Sequence, residues 1–537
     1  MATAAVPTVN GKRKREDIRP VSGAKRPANQ VAKQKVAKTH VDQTVTQTQA
    51  QDQPAESEAQ RVTETNAKPT ANSIKQPTQV TATATPAGEA VHVQIITGSY
   101  ERILQGAAAT IPRHLLEQPS GTNGVAEDQD DQSVTFSDTF LFAAHASAIR
   151  CLSISPSTES DWRYVATGSS DERINVYSVS TAPPNTSVNA KLPSLSSNQT
   201  AENPRNRSVG SLIHHDRAVT CLQFPAKGKL FSAAEDNTVA ISRTRDWIML
   251  SSIKAPIPKP QGRPSGDTAA PGQTPAGVND FAIHPSQKLM LSVGRGERCL
   301  RLWNLMTGKK AGVLNFDRDL LSQVSEGKHS SGEGRNVLWA GDGESYVVGF
   351  ERGAAIFGVD SQPRALIKPS PLTKLHCYRM MQSADGQEIL AVSTEDGRVL
   401  FFDTTDTATG AAKGNLPICK CVAQLGGRAA GIVGRIKDFE VVELPTSVSS
   451  AQETALLVTA SSDGAVRIWT VPRDLGKDTS AAQQTGRLLG TLETSNRIIC
   501  LGAFVLDGKS GDAGAEEEEF GGFEEEDDEA ASGEEEA

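Results

Sequence analysis

Three short segments of this 537-residue chain place a hydroxyl side chain four positions before an aspartate: Thr167 and Asp171, Ser232 and Asp236, Thr459 and Asp463. Histidines precede two of them, His145 and His215, so the side-chain types used in acid–base and nucleophilic chemistry recur along the sequence. Hydrolysis also needs a nucleophile recurring beside its base, and none recurs beside these histidines. There is no G-x-S-x-G elbow, no G-x-x-x-x-G-K-S/T phosphate loop and no H-E-x-x-H. The G-x-G at Gly294 and Gly296 is followed by Glu297-Arg298-Cys299, which fails the dinucleotide pattern. Cys419 and Cys421 form a C-x-C with no second pair and no nearby His, so zinc spacing is missing. We therefore read the histidines as structural and expect no enzyme, no metal, no cofactor and no small-molecule substrate. The seven cysteines, scattered through strand-like runs, read as buried small hydrophobes of a reducing compartment.

The elements that carry these residues are hairpins. Leu456 to Thr470, LLVTASSDGAVRIWT, runs through an apolar strand, turns at Asp463-Gly464, and leaves with alternating side chains that end at Trp469. The pattern recurs as YVATGSSDERINVYSV from Tyr164, LFSAAEDNTVAISR from Leu230, LMLSVGRGERCLRLWNL from Leu289 and ILAVSTEDGRVLFFD from Ile389. A short apolar strand precedes each clear copy, at Ile149, Val219, Val278 and Ile436. Units spaced roughly 40 to 60 residues apart predict an all-β fold, a β-propeller of four-stranded blades. Arg335 to Val359 reads as a degenerate blade. RIICLGAFV from Arg497 and VHVQIITGSYERIL from Val91 would pair across the ring to close it, giving about seven blades.

These repeats resemble WD-repeat propellers, with Trp303-Asn304, Phe402-Asp403 and Trp469-Thr470 at the Trp-Asp position. The resemblance implies hydrogen-bonded sets of a loop His, a strand Ser or Thr, the turn Asp and the aromatic. His145, Thr167 and Asp171 would form one, with Tyr177 in place of Trp; His215, Ser232 and Asp236 would form a second; Thr459, Asp463 and Trp469 a third. Ser242 replaces the aromatic in the second copy, Gly296 replaces Asp in another, and Arg435 stands where the last His is expected. The order of the segments IITGSYERILQG, FAAHASAIRCLSIS, IHHDRAVTCLQF, DFAIHPSQKLMLSVG, GRIKDFEVVELP and TSNRIICLGAF is more specific. It resembles the WD-repeat family of the p21-activated-kinase-interacting protein of animals and its fungal counterpart in assembling the large ribosomal subunit.

Composition divides the chain into a basic tail at 1–90, a propeller at 91–506 and an acidic tail at 507–537. The first 90 residues hold no aromatic and are expected to be disordered. Residues 1–40 carry +8, including Lys12, Arg13, Lys14 and Arg15, a candidate nuclear-import cluster. Residues 507–537 carry −14; with the whole chain at −9, setting both tails aside leaves −3 for residues 41–506. No run of 18 apolar residues exists, so no membrane partner is expected. Polar stretches at Thr181–Ser211, Lys254–Gly277, Asp317–Gly334 and Thr404–Asn415 read as loops.

The expected function is a non-catalytic scaffold. The family resemblance implies ribosome biogenesis in the nucleus and nucleolus, with pre-ribosomal proteins and assembly factors as partners and pre-rRNA as a further candidate. The animal branch implies instead an adaptor that binds and restrains a p21-activated kinase. Any WD-repeat propeller could also serve as a substrate receptor of a ubiquitin ligase. Arg435, Lys437 and Arg497, at the starts of inner strands, are the candidate partner face, with Asp438 and Glu493 as the acids that would neutralise them.

Overall fold

In a computed structural model, residues 90–117, 133–158, 160–183, 203, 205–258, 275–327, 330–407, 415–445, 448, 450–475 and 483–507 are described. The two tails, Lys12 to Arg15 among them, lie outside these residues apart from residue 90 and residue 507. The described strands form seven sheets, six of four strands and one of five, arranged as a seven-bladed β-propeller. The inner strands are Ile149–Ile154, Val219–Ala226, Val278–Ile283, Asn336–Trp339, Leu375–Gln382, Ile436–Val442 and Ile498–Val505, for blades one to seven.

Blade seven is composite. Ile498–Val505 pairs antiparallel with Ala90–Ser99, in register from Val93 opposite Val505 to Ser99 opposite Ile498. Ile103–Pro112 and Thr135–Ala143 complete this blade. The ring is thus closed by joining the two ends of the folded region, which leaves neither blade six nor blade one with an unpartnered face. The degenerate segment after Arg335 forms blade four, with Asn336–Trp339, Ser345–Gly349, Ala354–Gly358 and Pro363–Ile367 in order.

The core is divided among the seven junctions between blades. Each hydrophobic cluster draws residues from two neighbouring sheets. Phe439 of blade six, fully buried, packs with Met381 and Phe401 of blade five. Ile149 of blade one packs with Ile96 and Cys500 of blade seven. Each sheet has two buried faces, which explains why the middle strands read as near-continuous apolar runs, as in Thr454–Ser461, where every residue is buried.

Several stretches read as loops are ordered elements. Arg207–Leu212 is the outer strand of blade one, yet all but Leu212 are exposed, so no alternation betrays it. Asp317 to Gly334 contains the helix Arg318–Gln323, whose Leu320 and Leu321 join Phe316 and Phe350 in the core. Six residues are too few to display a helical period. The strand beginning at Arg398 continues to Thr407, overriding the loop expected from Thr404, and Lys254 ends the outer strand Met249–Lys254. No helix among the described residues is long and apolar enough to cross a membrane.

Candidate partner-binding face

The histidines lie within the blades. Thr167 and Asp171 flank one hairpin of blade one. Across it, His145 donates from Nδ1 to Asp171 Oδ2 at 3.1 Å, and the Thr167 hydroxyl donates to His145 Nε2 at 2.8 Å. Burial pushes the His145 pKa down, favouring this neutral form. The Tyr177 hydroxyl reaches Asn175 and Thr167. In blade two, His215 lies 3.2 Å from Asp236 Oδ2 and 2.8 Å from Ser232 Oγ. Both histidine rings are wholly covered, so neither can meet a substrate. Among the described residues no group of three or more His, Cys, Asp or Glu is arranged to hold a metal ion. Burial pushes the Cys419 and Cys421 thiols up to about 12 and about 11.

Blade six differs from the expected set. Trp469 donates from Nε1 to Thr459 Oγ1 at 3.1 Å, but Asp463 is exposed and accepts only from Ala465 N–H, at 3.2 Å, with Arg467 at 3.7 Å. With no His at 435 to bridge them, Asp463 and the Thr459–Trp469 pair remain separate. Sequence reasoning missed an equivalent pair in blade three, where Trp303 Nε1 donates to Ser292 at 2.8 Å. The signal was a serine eleven residues before the tryptophan, obscured by Gly296 at the aspartate position.

These differences have measurable consequences. Burial would raise the Asp236 pKa, but hydrogen bonds from His215 and from the hydroxyl and N–H of Thr238 outweigh it and hold the carboxyl at about 2. Because the folded-state value is depressed, its stabilisation is present above about pH 4 and lost as pH falls through the folded-state pKa. Asp236→Ala is expected to cost about 2 kcal/mol at neutral pH and to weaken the acid-induced loss of stability. Asp463→Ala is expected to cost less than about 1 kcal/mol, since it removes only an exposed acceptor. Chemical denaturation across pH checks both; equal losses would contradict the distinction.

The basic residues converge at one mouth of the ring. Arg435 precedes Ile436–Val442, Lys437 is its second residue, and Arg497 precedes Ile498–Val505. In the pairing of Ile436–Val442 with Thr454–Ser461, Lys437 is skipped between Ile436 and Asp438, and this irregularity sets it apart from the ladder. Burial, and then the cations Arg435, Arg497 and Lys374, hold the Lys437 pKa below the ordinary lysine range against the pull of Glu395. Two members were not legible beforehand: Lys374, which precedes Leu375–Gln382, and His376 within that strand. Burial, followed by Lys437, depresses the His376 pKa. The face thus spans blades five, six and seven.

Its acids are not those expected. Arg435 Nε pairs with Glu395 at 2.9 Å, and the same carboxylate takes His376 Nε2 at 2.9 Å. Lys374 pairs with Glu351 at 2.8 Å. Asp438 turns away: one oxygen accepts Leu501 N–H of blade seven at 2.9 Å, and the other is 3.3 Å from Arg379 of blade five. It therefore ties three blades together rather than neutralising Arg435 or Lys437. Arg497 lies over the ring of Tyr100, 5.6 Å from its centroid, and Tyr100 is 58% exposed. The arrangement offers clustered positive charge and one exposed aromatic ring, suited to holding an anionic partner.

Comparison with known proteins agrees with this architecture. The family described as WD domain, G-beta repeat, matches residues 136–178, 206–241 and 441–470. A p21-activated protein kinase-interacting protein 1-like of Danio rerio is 25% identical over 411 residues, covering 76% of this chain and 80% of that protein. Protein MAK11 of Saccharomyces cerevisiae is 25% identical over 403 residues, 71% of this chain and 78% of its own. Shk1 kinase-binding protein 15 of Schizosaccharomyces pombe is 24% identical over 428 residues, covering 79% and 88%.

Proposed function

We propose, starting from a closed propeller of WD repeats, that this chain is a non-catalytic scaffold acting in the nucleolus during assembly of the large ribosomal subunit. The basic mouth across blades five to seven carries this reading: a rigid ring presents charge on loops already ordered, so less entropy is lost when a partner docks. The resemblance to a family with a fungal large-subunit assembly counterpart supports it, as does the similarity to the MAK11 protein along most of both chains. Affinity purification of the tagged protein from growing cells is expected to recover large-subunit precursors with their assembly factors. Recovery of ligase subunits without pre-ribosomal proteins would contradict it.

The names of the other relatives, which describe kinase-interacting and kinase-binding proteins, favour a second reading. Here the same face binds a p21-activated kinase, and the kinase would dominate the purified material. Lys12 to Arg15 would bring the scaffold to the nucleus by binding the acidic grooves of an import receptor. Replacing these four residues with Ala is expected to shift a tagged protein to the cytoplasm; nucleolar signal that persists would assign import to another segment.

A further inference from the structure

Two cations of the basic mouth differ from the others. Arg435 and Lys374 each have a carboxylate partner, whereas neither Lys437 nor Arg497 pairs with one among the described residues. Glu101, near Arg497 in sequence space across the ring closure, is engaged with the Arg497 backbone N–H at 3.0 Å rather than with its guanidinium. Lys437 is half-buried and surrounded by Arg435, Arg497 and Lys374, so its charge is held where neighbouring charges oppose it. A ligand anion would relieve that repulsion. Beside it, Arg497 covers one part of the Tyr100 ring and leaves the rest open to solvent.

We propose that Lys437, Arg497 and Tyr100 form an anchoring site for an acidic peptide segment of a partner protein, which inserts a carboxylate between the two cations and lays its neighbouring side chain on Tyr100. The inference rests on the scaffold reading above and names the chemistry of its partner. Nucleic acid fits the site less well. A phosphate backbone carries its charge at every nucleotide and would run over Glu101, Glu351 and Glu395, which are interspersed among the cations of this mouth. A peptide can place carboxylates at the two unpaired cations and uncharged residues opposite those three acids. The half-buried ammonium also calls for an anion at the end of a side chain, and the Arg497 fork matches a carboxylate with two parallel hydrogen bonds.

The test uses the full chain, a fluorescein-labelled glutamate-rich peptide and a labelled uridine oligonucleotide of similar length, with fluorescence anisotropy as the readout. The peptide is expected to bind, with affinity that falls as salt rises. Lys437→Gln with Arg497→Gln is expected to weaken it by about tenfold or more, the equivalent of one charge-assisted contact. Both residues are at least partly solvent-accessible, so the double variant should fold, and an unchanged melting temperature checks this. Arg497→Lys, which keeps the charge but loses the fork, is expected to give a smaller loss, and Tyr100→Ala a loss that persists at high salt. Peptide affinity unchanged in the folded double variant, absence of peptide binding, or preference for the oligonucleotide would each overturn the proposal. Co-purification of pre-ribosomes is scored separately: peptide binding lost while that association persists leaves the anchoring site standing and contradicts its use in the scaffold.

Discussion

Ending the chain at Glu493 is expected to abolish the soluble monomer. The deletion removes Ile498–Val505, the inner strand of blade seven, and uncovers the Ala90–Ser99 edge along its whole register. Ile498, Cys500, Leu501 and Phe504 leave the clusters at the two junctions of that blade. At about 1.5 to 3 kcal/mol for each large apolar side chain, their loss approaches the whole stability of an ordinary domain. Asp438 also loses the Leu501 N–H it accepts across the junction, leaving a covered carboxylate oxygen without its donor. Size-exclusion chromatography and thermal melting, with a chain ending at residue 507 as control, should give aggregate for the shorter form. A monomer that melts cooperatively would mean that the ring does not depend on the composite blade.

How much could be read beforehand varied with burial. Middle strands such as Leu289–Gly294 and Thr454–Ser461 announce themselves because both faces meet neighbouring blades and the apolar run is unbroken. The closing pair was legible for the same reason, since Val91 and Arg497 open apolar runs at opposite ends of the folded region. Outer strands such as Arg207–Leu212 and Lys309–Asn315 were not, because solvent accepts almost any side chain there.

The site followed a similar division. Residues in one repeated hairpin, Thr167 with Asp171 or Ser232 with Asp236, are tied by fixed spacing and could be grouped from sequence. Contacts between repeats have no such ruler. Glu395 with Arg435, Tyr100 with Arg497, and Asp438 with Leu501 each join different blades, and only the closed ring brings them together. The expected neutralisation of Arg435 and Lys437 by Asp438 failed because sequence neighbours on a strand point to different sides.

Charge reversal of Arg435, Lys437 and Arg497 to Glu carries the second large expected effect. Three cations become three anions at one mouth, beside Glu395 and Glu101, so the potential met by an anionic partner changes sign. Fold stability should change little by comparison. Arg435 and Arg497 are exposed, and only the Arg435–Glu395 pair is lost, a surface contact worth at most about 1 kcal/mol. The cost to Lys437 is limited too, because its neighbours already oppose its charge.

Sedimentation of this triple variant through a density gradient of nuclear extract is therefore the most direct measurement of a scaffold acting through the basic mouth. The variant, folded and melting like the unaltered protein, is expected to remain near the top of the gradient while the unaltered protein travels with large-subunit precursors. A folded triple variant that still travels with those precursors would contradict the account.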